Sequence, residues 1–336
     1  MNRRDTLTAL LALGTEVHAQ SRASAQVATI GVLAQVVSTS DMARSYLSML
    51  RAELKARKWI EGQNLVIERA FGEGKAERLP ALAEELVRKH VDVIWVGSDH
   101  AAVVAARATR TIPIVFTNVY WPVETGLIDS FARPGRNLTG VSAYTGIEVS
   151  TKRLDFLKEI APGATRLSWM FDASIAPTVD GGIFDIRPVL DADAKKPGYE
   201  TRYHLLAKSD DIDRAFAEIL DWRAQAIAVG RSPAISAALE RIASFALRNR
   251  LPSACADSRP VDAGCLLSYS AAGAPLTESM GRAVDSVDRI LRGAHPRDLP
   301  VQRPDRYELV INLKTAKALG LRIPQSVLLR TDRLIE

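Results

Sequence analysis

Short apolar runs alternate along this chain with longer stretches in which apolar residues recur every three or four positions. The runs "VATIGVL" (27–33), "NLVIERA" (64–70), "VDVIWVG" (91–97) and "IPIVFT" (112–117) predict strands, and intervening segments such as "KAERLPALAEELVRKH" predict helices. Strands that are apolar almost throughout, each followed by a helix, predict an α/β fold with a parallel sheet covered on both faces. The second half repeats this grammar in "RLSWMFD" (166–172), "ETRYHLLA" (200–207), "AQAIAVG" (224–230) and "PSACA" (252–256), with "GCLLSYSA" (264–271) as a candidate return strand before the helix "LTESMGRAVDSVDRILRG". The two halves also align with each other. Arg78 falls on Arg214, Val96-Gly97 on Val229-Gly230, and each pair leads through a Ser-initiated, Ala-rich helix to a strand starting at Pro113 or Pro252. No Gly/Ser-rich linker separates the halves, so the expected organisation is two interleaved lobes. Residues 27–142 with 268–300 are assigned to lobe 1, and 143–267 with 301–336 to lobe 2. Such interleaving suits a hinge of several strands.

The first residues obey a different pattern. "MNRRDTLTALLALGTEVHAQ" has Arg3 and Arg4, an apolar stretch from Leu7 to Leu13, and a small-x-small ending at Ala19. That layout predicts a secretory signal peptide over 1–19, too short in its apolar part to span a bilayer, and hence a periplasmic protein. The arginine pair leaves general and twin-arginine export both open.

Composition changes this picture little. The 336 residues suffice for two domains, and 47% hydrophobic with 25% charged residues is ordinary for a globular chain. The net charge of +5 is scattered among acids, which gives no clustered basic face for nucleic acid. The two cysteines, Cys255 and Cys265, are either a disulfide or two buried thiols. Enzyme signatures are missing: no GxSxG, no GxGxxG after the first strand, no HExxH, and a "GEGK" without P-loop spacing. No cofactor or metal site is expected.

In open parallel sheets ligands bind beyond the carboxyl ends of the strands, so the candidate residues are those on strand-to-helix loops. They are Ser38 and Thr39 after the first strand, Ser98 and Asp99 after "VIWVG", and Asn118, Tyr120 and Trp121 after "IPIVFT". From the second half come Tyr144, Asp172, Arg231, Ser232 and Asp257. The rings suit a planar ligand. Arg231, with the free amides of a helix capped by Ser232, suits a carboxylate, and Asp172 or Asp257 suits an ammonium. Each serine is equally readable as a helix cap, and each ring as packing against a helix or the other lobe.

The stretches "LRAELKARKWIEGQNLVIERAFGEGKAERLPALAEELVRKHVDVIW", "TIPIVFTNVYWPVETGLIDSFARPGRNLTGVS", "KRLDFLKEIAPGA" and "LPVQRPDRYELVINLKTAKALGLRIPQSVLLRTDRLIE" resemble the substrate-binding proteins of ABC transporters whose relatives bind tryptophan or tyrosine. The resemblance covers nearly the whole mature chain. It implies a type I, Venus-flytrap periplasmic-binding fold, a monomer that closes on a small-molecule ligand and passes it to an ABC permease in the inner membrane. A periplasmic sensing module is the alternative, followed by a cleft enzyme. Three loops depart from the family pattern, at 34–37, at 118–121 and at "FDASIAPTV". The relatives' ligands therefore do not transfer directly, and the extra rings favour a flat ligand.

Overall fold

The computed structural model describes residues 27–143, 147–171, 178–182, 184–206, 211–231, 233–272 and 276–336. The expected leader, Tyr144, Asp172 and Ser232 lie outside the described residues.

Five strands form the first sheet: β1 (Ala28–Ala34), β2 (Leu65–Phe71), β3 (Val93–Val96), β4 (Ile114–Val119) and β5 (Leu138–Ser142). Their order is β2-β1-β3-β4-β5 and every pairing is parallel. Seven form the second: β6 (Arg166–Phe171), β7 (Glu200–Leu205), β8 (Ala226–Val229), β9 (Ser253–Cys255), β10 (Leu267–Ala271), β11 (Tyr307–Asn312) and β12 (Arg333–Ile335). Its order is β12-β11-β10-β9-β8-β6-β7, parallel except between β10 and β11.

Helices on both faces explain the continuous apolar strands. One face of the first sheet is covered by Asp41–Ala56, which buries Ala43, Leu47, Leu50 and Leu54 at helical spacing, and by Leu276–Leu291, which buries Met280, Ala283, Val284 and Val287. Leu79–Arg88 and Asp99–Ala108 cover the other. In the second sheet, Ile147–Ile160 and Arg187–Lys195 cover one face, and Asp211–Asp221 and Leu239–Arg248 the other.

The chain passes repeatedly between the sheets. It leaves the first sheet after β5, returns after β10 to place Leu276–Leu291 on β4 and β5, and leaves again before β11. On that last passage Gln302 pairs with β5, donating its N–H to the Gly140 carbonyl at 3.0 Å and accepting the Ser142 N–H at 2.9 Å. Residues 268–271, expected in the first lobe, belong to the second sheet, because β10 hydrogen-bonds β9 on one side and β11 on the other. Cys255 and Cys265 are free thiols, both fully buried, and burial pushes the Cys255 thiol well above its ordinary range.

Candidate functional site

The loops beyond the carboxyl ends of the two sheets meet. On the first-sheet side, β4 ends in a bulge where the register slips between Thr117 and Val119, and Asn118 takes φ of 56°. Asparagine tolerates that left-handed conformation better than most residues. Asn118 is exposed, and the bulge redirects the chain so that Tyr120 and Trp121 follow. The loop is then tied down. Val119 carbonyl accepts the Ser142 hydroxyl at 2.7 Å and the Ala143 N–H at 2.8 Å. At the strand end, Tyr46 Oη shares a hydrogen bond with Thr117 Oγ1 at 2.8 Å and accepts the indole N–H of buried Trp95 at 2.9 Å.

Asp99 fixes the two rings. Its Oδ1 accepts the backbone N–H of Tyr120 at 2.9 Å and, more weakly, that of Trp121 at 3.4 Å. Burial pushes its carboxyl up to about 6, with those backbone donors pulling the other way. An acid whose pKa is raised by folding holds a proton in the native state, between about pH 4 and pH 6, that the unfolded chain has lost. Stability therefore falls as pH rises across that window and is flat above it. Urea unfolding at pH 4 and pH 7 should show Asp99→Asn gaining on the order of 2 kcal/mol relative to wild type as pH rises. Parallel pH profiles would show that Asp99 titrates normally.

The second-sheet side supplies charge and more rings. Arg231, two residues past the end of β8, places its guanidinium 5.8 Å from the centre of the Tyr120 ring. It also pairs with Asp257 beyond β9 at 3.2 Å, and Asp257 is further engaged by the Arg259 guanidinium at 3.1 Å and the Arg259 N–H at 3.0 Å. Asp257 is therefore committed to two arginines. Trp121 stands 5.7 Å from Phe184 at a tilted angle and packs against the second-sheet core. Segment 178–182 docks on the first lobe: Val179 N–H donates to Thr125 carbonyl at 2.9 Å, and Arg107 donates to the carbonyls of Thr178 at 2.6 Å and Val179 at 3.3 Å.

Of the remaining candidates, Ser98 caps Asp99–Ala108 by accepting the Ala101 N–H at 3.3 Å. The cap after β1 is Ser40, which accepts the Ala43 N–H at 3.1 Å. Ser38 and Thr39 are exposed; the Ser38 N–H binds Glu73 and Thr39 carbonyl accepts from Arg44. Ser38 lines a cavity of about 370 Å³ with Arg44, Arg51, Arg69 and Glu73, apart from the Tyr120 loop.

Arg153 was not among the candidates. It lies on helix Ile147–Ile160 at the position that continues the apolar stripe Val149, Phe156, Leu157 and Ile160, and only 6% of it is exposed. Among the described residues its one hydrogen bond runs from Nε to the Tyr269 carbonyl at 3.1 Å. Burial pulls its pKa down to about 10, and Arg231, within electrostatic reach, acts in the same direction; Cys255, Asp193 and Asp257 oppose them. The legible signal was a charged residue where helical spacing calls for an apolar one.

The sequence profile of ABC transporter substrate binding proteins matches residues 29–335. The chain belongs to that family. Among curated relatives of this substrate-binding protein is the tyrosine-binding protein of Clostridioides difficile, 24% identical over 295 residues, which span 86% of this chain and 80% of the relative. Among solved structures, a conserved domain protein from Vibrio cholerae shares 26% identity with a TM-score of 0.74, over 92% of this chain and all of that one. The ABC domain from Streptococcus pneumoniae in complex with L-Trp shares 22% identity with a TM-score of 0.72, over 92% of this chain and 99% of that one. The fold is thus that of type I periplasmic binding proteins, two mainly parallel sheets flanked by helices.

Proposed function

We propose that this substrate-binding protein receives a small planar ligand between its lobes, closes on it, and delivers it unchanged to an ABC permease outside the cytoplasm. The observation that carries this reading is the convergence of side chains from both sheets on one place, Tyr120 and Trp121 from one and Arg231 and Phe184 from the other. A ligand held there touches both lobes, so it stabilises the closed arrangement over the open one, which is all that hinge closure requires. Aromatic ligands are favoured by the rings and by what the C. difficile and S. pneumoniae relatives bind. Family membership supports delivery to a permease, monomeric action and a periplasmic location.

The test is thermal unfolding with a panel of L-tyrosine, L-tryptophan, aromatic acids and aliphatic amino acids, followed by small-angle scattering. A ligand at about a hundred times its Kd should add roughly 2.7 kcal/mol of stability and reduce the radius of gyration. Unchanged scattering with every stabilising compound, or a turnover product seen by mass spectrometry, overturns the proposal.

A further inference from the structure

We infer that Arg153 is the anchor for a carboxylate on the ligand, so that the ligand class is an organic acid with a planar body. This rests on the binding reading above and assigns to it a residue and a charge.

The argument starts from an imbalance. A guanidinium carries five N–H donors and stays charged, so burying one without an acidic partner is costly. Arg153 is buried and, among the described residues, uses one donor, on a backbone carbonyl. Neither nearby acid pairs with it. Asp257 is bound by Arg231 and Arg259, and Asp193 is bound by the Thr151 hydroxyl and, at 3.5 Å, by Lys196. Asp257 and Asp193 both lie within electrostatic reach of Arg153, but each is held by other partners, so among the described residues the guanidinium has no carboxylate of its own behind the ends of β8, β9 and β10.

That charge lies on the ligand side of the sheet. Tyr269 is on β10, Asp257 follows β9 and Arg231 follows β8, and Arg231 faces the Tyr120 ring. An anion arriving there restores the missing partner, and a carboxylate matches the guanidinium fork with two parallel hydrogen bonds. A ligand with its carboxylate on Arg153 and its ring beside Tyr120 and Trp121 spans both lobes, which couples charge recognition to closure.

The experiment compares wild type with Arg153→Met and Arg153→Lys, by thermal unfolding and calorimetric titration at constant ionic strength. The probes are paired: benzoate against benzylamine, L-tryptophan against tryptamine, with inorganic phosphate as a separate anion. At least one carboxylate should stabilise wild type while its amine counterpart does not. Arg153→Met should weaken that carboxylate on the order of a hundredfold, and Arg153→Lys by less. Without ligand, Arg153→Met should melt at or above the wild-type temperature, because an unpaired buried charge has been removed. A structural role predicts the reverse: a lower melting temperature with the carboxylate response retained. That result overturns the inference, as does binding of the amines in place of the acids, stabilisation by phosphate alone, or no response to any carboxylate. If the amines close the protein, the binding reading survives and only the Arg153 assignment falls.

Discussion

Gly140→Ala should destroy the first lobe as a folded unit, at a cost above about 4 kcal/mol, in the range reserved for severe backbone or packing conflicts. Gly140 sits in β5 opposite Phe116 of β4 with φ of 147°, a region that residues with a side chain rarely adopt. A Cβ built there would lie 2.1 Å from the Phe116 carbonyl oxygen and 2.7 Å from its nitrogen. Both obstacles are backbone, so no side-chain rotation relieves them; β4 and β5 must separate. The Gly140 carbonyl also accepts the Gln302 N–H, which holds the last passage between the sheets. The damage therefore reaches the Tyr120 loop and this crossover together. Urea unfolding and soluble yield measure it, with Gly163→Ala as the control. Nothing lies within 4 Å of a Cβ built at Gly163, so that change should stay within about 1 kcal/mol. A Gly140→Ala protein that unfolds at the wild-type urea concentration would show that the strands can part cheaply.

Trp121→Ala should weaken a planar ligand by roughly 2–3 kcal/mol, or thirtyfold to more than a hundredfold, as expected for truncating an aromatic anchor in a buried contact. Two effects combine. The Trp121 backbone N–H is held by Asp99 at 3.4 Å, which fixes the loop that carries the ring, and the ring stands 5.7 Å from Phe184 of the opposite lobe. Removing it takes away both a stacking surface and a contact made between lobes. Comparing ligands separates these. If stacking dominates, calorimetric titration shows a larger loss for an aromatic than for an aliphatic ligand. Equal losses, with a larger radius of gyration in the bound state, would assign Trp121 to closure alone.

Much of this site was readable in one dimension because of where parallel sheets place their loops. Strand ends at Val96, Val119 and Val229 could be located from apolar runs, and the residues after them, Asp99, Tyr120, Trp121 and Arg231, are brought together here. Caps and ligand groups share the same chemistry, however. Ser98 reads identically whether its hydroxyl meets the Ala101 N–H or a solute, and Ser38 and Thr39 differ from Ser40 only in which of them closes the first turn. Asp257 offered a carboxylate for an ammonium, and the fold engages that carboxylate with Arg231 and with Arg259, which lies beyond the strand-end residues.

Local pattern determined the strands, most of the helices and the two-lobed α/β class, because burial on both faces of a parallel sheet forces continuous apolar runs and burial on one face of a helix forces a stripe. Which sheet holds β10, what faces the Tyr120 ring, and whether Arg153 has an acidic partner were decided by tertiary structure alone. These depend on contacts between residues distant in sequence, such as Arg153 with Tyr269 and Trp121 with Phe184. A hydrophobic period reports that a residue faces inward; only the assembled chain determines what it meets there.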